Sequence, residues 1–157
     1  MQNGYIYDFP IGKLLIAEES GNITHILVRD FDSVIYEQRE SIMIKQAKHE
    51  LDEYFAGNLK EFTVPLSLKG TDFQKKVWEA LIRVPYGETR TYKQLAESVG
   101  SPKGFRAVGG ANHVNPVMII VPCHRIIGAN GKLVGYGGGI HIKEYLLEVE
   151  TGVVRLD

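Results

Sequence analysis

The single cysteine of this 157-residue chain, Cys123, lies in the run Val121-Pro-Cys-His-Arg-Ile126, between a proline and two potential cations. A lone cysteine is most often a small buried hydrophobic side chain. Cationic neighbours, however, lower the pKa of a thiol from about 8.5 and make it a nucleophile. Adjacent residues of a strand face opposite ways, so the sequence does not establish a contact between Cys123 and His124. A structural thiol and a reactive thiol are both consistent with this run.

Two short helices joined by a glycine-containing turn are predicted upstream of the thiol. The segment YKQLAESVG ends at Gly100, and SPKGFRAVGGAN follows at once with Ser101 as its predicted N-cap. This spacing is typical of helix-turn-helix DNA-binding motifs, although corners between two helices also occur in other proteins. The second helix carries Gly104, Gly109 and Gly110, and each costs about 1 kcal/mol relative to alanine. Close approach of a phosphodiester backbone would explain them, and small side chains suit a minor groove.

The distribution of charge separates the two halves of the chain. Residues 1–69 hold 7 Lys and Arg against 11 Asp and Glu, whereas residues 70–157 hold 11 against 8. This asymmetry favours an anionic partner for the second half, but it is also compatible with random variation in the number of charged residues on solvent-exposed surfaces.

The pattern of apolar and turn residues predicts two domains, residues 1–69 and 70–157. In the first, GYIYDF, GKLLIAEE and ITHILVRD are predicted strands, and Gly21 and Asn22 form a hairpin turn between the last two. ESIMIKQAKHELDEYFAG is a predicted helix that buries Ile42. We therefore expect a small antiparallel sheet plus helix, followed by a mostly α-helical, winged-helix-like domain that contains the helix-turn-helix.

The composition excludes several other classes of protein. Hydrophobic residues make up 44% of the chain and charged residues 24%, as in ordinary globular proteins. No apolar run approaches the roughly 20 residues that span a bilayer, and no secretory signal is visible. One cysteine cannot form an internal disulfide or a multi-thiolate zinc site. We therefore predict a cytoplasmic protein without a bound metal.

The motifs PCHRI, RAVGGANHVNPV upstream of it and GYGGG downstream of it occur in one order and spacing. In this respect the sequence resembles the O6-alkylguanine-DNA alkyltransferases, the methylated-DNA–protein-cysteine methyltransferases. The resemblance covers residues 71–152 and extends weakly, through LDEYFAGNLKEFTVPL, into the first half. It implies direct-reversal DNA repair, in which the alkyl group of O6-alkylguanine in duplex DNA moves irreversibly to the cysteine. The implied partner is double-stranded DNA, no cofactor is implied, and we expect a monomer; O4-alkylthymine stays open as a substrate.

The resemblance also implies a role for particular residues of the site. Cys123 corresponds to the alkyl acceptor, and His124 to the histidine that deprotonates it through a water molecule. Glu150 corresponds to the carboxylate that orients the histidine. Asn115 corresponds to the asparagine that braces the active-site turn. Tyr92 corresponds to the tyrosine that donates a proton toward guanine N3 and rotates the 3′ phosphate as the base leaves the helix.

Two further sets of residues follow from the same resemblance. Arg106 corresponds to the arginine that enters the base stack in place of the flipped nucleotide, and backbone carbonyls near Cys123 and Ile126 are expected to bind the exocyclic amine of the base. The predicted DNA-binding set is Arg106, Tyr92, Ser101, Lys103, Gly109 and Ala111. The predicted base pocket is Tyr136, Gly137, Gly138, Ile126 and Pro122. Relatives with a structural zinc hold it through N-terminal cysteines, and the sequence of this chain has none there.

Three alternatives predict different chemistry. A non-catalytic lesion-binding relative would have another residue in place of Cys123. A helix-turn-helix regulator with a structural cysteine would recognise sequence in the major groove, which small side chains do not favour. A cysteine hydrolase would need an oxyanion hole, and the sequence contains no nucleophile-elbow motif.

Overall fold

The structure of the chain is a computed structural model, which describes residues 1–133 and 139–152. It divides into two compact units. The first comprises Met1–Lys69 together with Pro116–Met118, and the second comprises Gly70–Asn115 and the chain from Ile119 onward. The fold class predicted from the sequence, an α/β unit followed by a mostly helical one, is confirmed.

The sheet of the first unit is mixed, so the prediction of a purely antiparallel sheet is wrong in one respect. Strands β1 (Gln2–Phe9), β2 (Gly12–Glu19) and β3 (Asn22–Leu27) pair antiparallel in sequence order. Strand β4 (Tyr36–Gln38) lies parallel to the start of β1 and completes the order β3-β2-β1-β4. A strand of three residues has too short a pattern to be recognised in the sequence.

The turn between β2 and β3 is displaced by one residue from the predicted position. Ser20 and Gly21 have φ values of 54° and 83°, and they form the two-residue loop between the paired Glu19 and Asn22. Two consecutive positive φ values are typical of the tight turns that match the twist of a hairpin. Asn22 is therefore the first residue of the strand and not part of the turn.

Helix α1 (Ile42–Phe55) buries one face within the first unit. The Ser41 side chain accepts a hydrogen bond from the Ile44 amide and caps the helix. The prediction that Ile42 is buried is wrong, because Ile42 is 86% exposed at the first turn and Ile44 lies in the core instead. Tyr54 near the end of α1 is also buried. Gly57, with a φ of 80°, follows the helix as predicted for a C-terminal glycine.

The second unit contains four α-helices among its described residues: α2 (Asp72–Ile82), α3 (Tyr92–Ser98), α4 (Phe105–His113) and α5 (Ile140–Thr151). A two-residue strand, β5 (Arg90–Thr91), pairs parallel with β6 (Ile126–Ile127). Thr71 and Thr91 are the N-caps of α2 and α3 and form capping boxes. The side chain of each threonine accepts a hydrogen bond from the amide of Gln74 or Gln94, and the side chain of that glutamine accepts one from the threonine amide.

Helix α4 begins later than predicted, so the assignment of Ser101 as its N-cap is wrong. The N-cap is Gly104, whose amide donates to the Ser101 carbonyl at 2.8 Å and closes a turn. Ser101, Pro102 and Gly104 occupy the first, second and fourth positions of this turn, where β-turns favour serine, proline and glycine. Turn formation here prevails over the start of a helix at Ser101. A Cβ atom at position 104 would lie 2.7 Å from the Ser101 Oγ. A larger residue at position 104 would force the Ser101 side chain to move, which favours glycine in this turn.

The chain between Val117 and Pro122 is buried but irregular, with isolated bridges in place of a continuous strand. Ile119 lies in the left-handed region, with a φ of 74°. Among the described residues, no helix has the length and apolar character needed to cross a membrane.

Candidate active site

Cys123 begins a single turn of 3₁₀ helix, Cys123–Arg125, that follows the irregular segment. The Arg125 amide donates to the Pro122 carbonyl at 3.0 Å, and the Ile126 amide donates to the Cys123 carbonyl. Three residues per turn direct consecutive side chains about one third of a revolution apart. Cys123 and its neighbours therefore face different partners, and Cys123 is 5% exposed.

Asn115 holds both the thiol and the backbone that precedes it. Its Nδ2 donates to the Val121 carbonyl at 2.8 Å and to the Cys123 Sγ at 3.2 Å. The first bond stabilises the bend in the backbone at Ile119, between Asn115 and Val121. The second places an amide N–H donor directly against the sulfur that would carry the charge of a thiolate.

His124 and Glu150 form a buried pair at the end of α5. The His124 Nε2 lies 2.5 Å from the Glu150 Oε2, and His124 is fully buried. Burial lowers the pKa of His124, while the contact with Glu150 opposes that shift. A neutral imidazole beside an ionised carboxylate carries its proton on Nε2, because the carboxylate can only accept. The Nδ1 atom is then the basic nitrogen.

Arg125 is the residue whose role the sequence did not establish. Its Nε and Nη2 donate to the two oxygens of Glu150 at 2.8 and 3.0 Å. Its Nη1 donates to the Val84 carbonyl at 2.7 Å, and its guanidinium lies over the Tyr86 ring. This bidentate geometry fixes the carboxylate in plane and distance. Arg125 therefore orients Glu150, which in turn holds His124.

The charge of Glu150 follows from these contacts. Burial alone would raise its pKa, but the hydrogen bonds and positive charge of its neighbours, Arg125 among them, outweigh burial and lower the pKa below the usual range. The Gly87 amide adds a further hydrogen bond at 3.2 Å to Oε1. Glu150 is therefore ionised at neutral pH.

Acidification should remove the stabilisation that Glu150 contributes. Because its pKa is lower in the folded than in the unfolded chain, this contribution is complete above the unfolded value of about 4.3. It is lost as the pH falls through the lower, folded pKa. We expect the unfolding temperature of Glu150→Gln to fall less steeply than that of the wild type as the pH is lowered from about 5 to about 3. The Glu97→Gln variant, which changes an exposed carboxylate of α3, serves as the control; identical slopes for Glu150→Gln and wild type would contradict the assignment.

Tyr92 is the first residue of α3 and is half-buried. Burial raises the pKa of its hydroxyl, a hydrogen bond from Asn112 lowers it, and the charge of Cys123 raises it. Lys143 of α5 is fully buried; its Nζ donates to the Ile126 carbonyl and lies 5.9 Å from the centre of the Tyr92 ring. The tyrosine, the thiol and the predicted base-binding carbonyl of Ile126 are thus brought to one region.

An open groove of about 600 Å³ runs beside Tyr92, with Phe105, Gly109 and His113 of α4 on its wall. Lys103 and Arg106 are exposed near the start of α4, and Ser101 is half-buried in the turn before it. Ala111 lies on the inner face of the helix, where its carbonyl accepts from the Trp78 Nε1 at 2.9 Å. Its side chain is therefore not part of the exposed surface.

The predicted base-pocket residues are only partly described. Pro122 is buried directly before the thiol, and Ile126 is buried directly after the 3₁₀ turn. Tyr136, Gly137 and Gly138 lie outside the described residues. The partners that sequence reasoning missed are Arg125 for Glu150 and Lys143 for Ile126. The sequence contained no signal for these pairs, because the two residues of each pair are separated by 17 residues or more along the chain.

Helices α3 and α4 form a helix-turn-helix, which is typical of DNA-binding proteins. Cys123 lies beside the buried His124–Glu150 pair, an arrangement typical of a nucleophilic site. Comparison with known families agrees with this description. The DNA-binding domain of 6-O-methylguanine DNA methyltransferase matches residues 72–152, and the ribonuclease-like domain of the same proteins matches residues 5–68. This chain belongs to the 6-O-methylguanine DNA methyltransferase family.

Individual relatives match over nearly the whole length. A methylated-DNA–protein-cysteine methyltransferase of Methanosarcina acetivorans is 47% identical over 152 residues, which cover 92% of this chain and 96% of the relative. The constitutive enzyme of the same name from Bacillus subtilis is 50% identical over 149 residues, 90% of each chain. The crystal structure of Mycobacterium tuberculosis OGT in complex with DNA superposes with a TM-score of 0.90 at 46% identity, covering 96% of this chain and 93% of that one.

Proposed function

We propose that this chain is a single-use DNA-repair protein that removes the alkyl group from O6-alkylguanine in duplex DNA and retains it on Cys123. The observation that carries the proposal is the Cys123 thiol, hydrogen-bonded by Asn115 and followed directly by a histidine that is paired with an ionised carboxylate. Residues 70–157 would bind DNA and perform the transfer, with residues 1–69 as a supporting domain.

The proposed reaction is an in-line displacement at the alkyl carbon. His124 takes the thiol proton through a water molecule, and the Cys123 thiolate attacks the alkyl carbon. The new C–S bond forms as the C–O6 bond breaks, and the electron pair of that bond remains with guanine. Tyr92 donates a proton toward N3 of the leaving base, so the proton lost by the thiol balances the proton that guanine gains.

The reaction ends with a thioether, which a histidine–carboxylate pair cannot hydrolyse. The protein would therefore be consumed, one alkyl group per molecule. An alkyl carbon inside a stacked duplex is out of reach, so the base must first be flipped out at a cost of a few kcal/mol. Arg106, which is exposed on α4, would enter the gap that the base leaves. O4-alkylthymine would react with the same thiolate.

Two glycines of α4 support minor-groove docking. Among the described residues, a Cβ atom built at Gly109 or at Gly110 meets no atom within 4 Å outside the backbone of its own helix. The described part of the chain therefore gives no packing reason for glycine at either position, although each glycine weakens the helix by about 1 kcal/mol. Close approach of a DNA backbone, as when a helix docks in the minor groove, would explain glycine at both positions.

Mass spectrometry tests the proposal directly. After incubation with a duplex that contains O6-methylguanine, the protein should gain the mass of a single methyl group, located on Cys123. Repeated turnover, or an unchanged mass in a folded sample, would show that the proposal is wrong. Arg106→Ala should slow the reaction with duplex more than the reaction with free O6-benzylguanine, since the free base need not be flipped. Arg83→Ala, which removes an exposed arginine at the end of α2, is the matched control and should slow neither reaction.

A further inference from the structure

Phe105 is a large aromatic side chain for which the proposed reaction has no role. It is the first residue of α4, directly before Arg106, and it is 47% exposed. Single exposed apolar residues are common on protein surfaces, and Ile82 at the end of α2 is 45% exposed. Exposure alone therefore assigns no function to Phe105, and its surroundings have to be considered.

Phe105 lies on the face of α4 that borders the open groove beside Tyr92. Residues four apart share one face of a helix, and Phe105, Gly109 and His113 all line this groove. Phe105 and His113 are about 12 Å apart along the helix axis. Gly109 between them adds no side chain, so this face of α4 is low in its middle and carries an aromatic ring at its first turn.

The charge around the groove favours a polyanion as its occupant. Lys93 of α3 lines the groove and is exposed, and Lys103 and Arg106 are exposed on either side of Phe105 in the sequence. Among the described residues that line the groove, none is an acid. Residues 98–143 include five Lys and Arg and no Asp or Glu. A duplex that approached this face would meet positive charge and, at Phe105, an apolar ring.

A duplex offers one kind of partner to such a ring. Its phosphates and sugars are hydrated, whereas the faces of its bases are apolar and stack on aromatic side chains. Proteins that bind the minor groove insert phenylalanine between base steps and partly unstack them. A nucleotide beside an unstacked step is easier to flip, because part of its stacking is already broken.

We propose that Phe105 is a wedge that stacks on a base next to the flipped nucleotide, while Arg106 fills the gap. This inference rests on the proposed function, since it assumes that α4 enters the minor groove and that the base is flipped. Consecutive side chains of a helix point about 100° apart, so Phe105 and Arg106 would reach different positions of the base stack. The two residues would thus divide the work: one opens the base step and the other replaces the base.

The first test measures single-turnover methyl transfer by Phe105→Ala from a duplex that contains O6-methylguanine. We expect the second-order rate constant to fall about 5- to 150-fold, the range for removing an aromatic side chain from one stacked base. The rate with free O6-benzylguanine should stay within about twofold of the wild type, because a free base is not stacked. Phe105→Tyr keeps the ring and should keep the wild-type rate on the duplex.

Two controls accompany these variants. Ile82→Ala removes an apolar side chain of nearly the same exposure from the end of α2, and it should react with both substrates at the wild-type rate. Thermal unfolding of Phe105→Ala should match the wild type within a few degrees, because about half of the Phe105 surface is already in water.

The second test locates the contact in the DNA. Two further duplexes each carry an abasic residue beside the lesion, one on its 5′ side and one on its 3′ side. In at least one of them, Phe105→Ala should cause less than a twofold loss, because the base on which the ring stacks is missing. A loss that is as large in both abasic duplexes as in the intact duplex would overturn the wedge, since the ring would then contact the sugar–phosphate backbone.

The remaining outcomes separate the wedge from the proposed function. A wild-type protein that reacts with neither O6-methylguanine in duplex nor free O6-benzylguanine contradicts the proposed function itself. A wild-type protein that reacts, with Phe105→Ala equally fast on the duplex, overturns the wedge alone. A loss of equal size on the free base also overturns it, because Phe105 would then shape the base pocket instead of the DNA.

Discussion

The Cys123→Ala variant should bind a duplex that contains O6-methylguanine about as tightly as the wild type and transfer nothing. Binding would come from the exposed surface of α3 and α4, whereas transfer requires the sulfur as the atom that forms the new bond. Gel-shift or anisotropy titration measures the first property, and the mass of the protein after incubation measures the second. Any methyl group found elsewhere on the variant would contradict the assignment of the acceptor.

Cys123→Ser is the matched control for this variant. Its hydroxyl can still accept from Asn115, which donates to the sulfur in the wild type. We expect Cys123→Ser to be as inactive as Cys123→Ala, because an alcohol is a far weaker nucleophile than a thiolate at neutral pH. It should also keep an unfolding temperature closer to that of the wild type. A serine variant that transfers at a measurable fraction of the wild-type rate would show that the thiol is not essential.

The Arg125→Met variant should lose about 3–5 kcal/mol of unfolding free energy, the cost of leaving one member of a buried ion pair without its partner. Arg125 supplies two of the hydrogen bonds of Glu150 and one of Val84, all in the interior. Transfer should slow as well, since the carboxylate would no longer hold His124 in one orientation. Denaturant unfolding gives the first quantity and single-turnover kinetics the second.

Two controls accompany Arg125→Met. Lys13→Met breaks the Lys13–Asp8 pair, whose side chains are 66% and 82% exposed, and pairs of this kind contribute little to stability. Arg125→Lys keeps a positive charge without the planar fork, so its stability should lie between those of wild type and Arg125→Met. Equal stability of Arg125→Met and Lys13→Met would contradict the role of Arg125.

Local signals in the sequence predicted the helices well where capping and periodicity agree. Threonine and glycine are residue types that favour a helix start and a helix end, and they stand at those positions here: Thr71 caps α2 and Gly57 follows α1. Prediction failed where two local preferences compete, as at Ser101, where turn formation prevails over helix initiation. It also failed where a segment is very short, as for the parallel strand β4.

The resemblance predicted the members of the candidate site and the pairing of His124 with Glu150, but not the contacts made by Arg125 and Lys143. The resemblance of several motifs in one order identified Cys123, His124 and Glu150 as a group. The sequence left the partner of Arg125 undetermined, because Glu150 lies 25 residues further along the chain and meets Arg125 only when α5 packs beside the 3₁₀ turn. The contact of Lys143 with the Ile126 carbonyl is of the same kind, because the two residues are 17 positions apart in the sequence and meet only in the folded chain.

The single cysteine of the chain, 5% exposed, has a consequence for oxidative damage. A sulfenic acid is commonly rescued when a second thiol of the same protein condenses with it to a disulfide. This chain has no second thiol, so an oxidised Cys123 would proceed to irreversible acids unless a small external thiol reached it. Because the same sulfur is the proposed alkyl acceptor, each irreversible oxidation would inactivate one protein molecule, as alkylation does. The burial of the sulfur therefore limits its loss to peroxide between encounters with DNA.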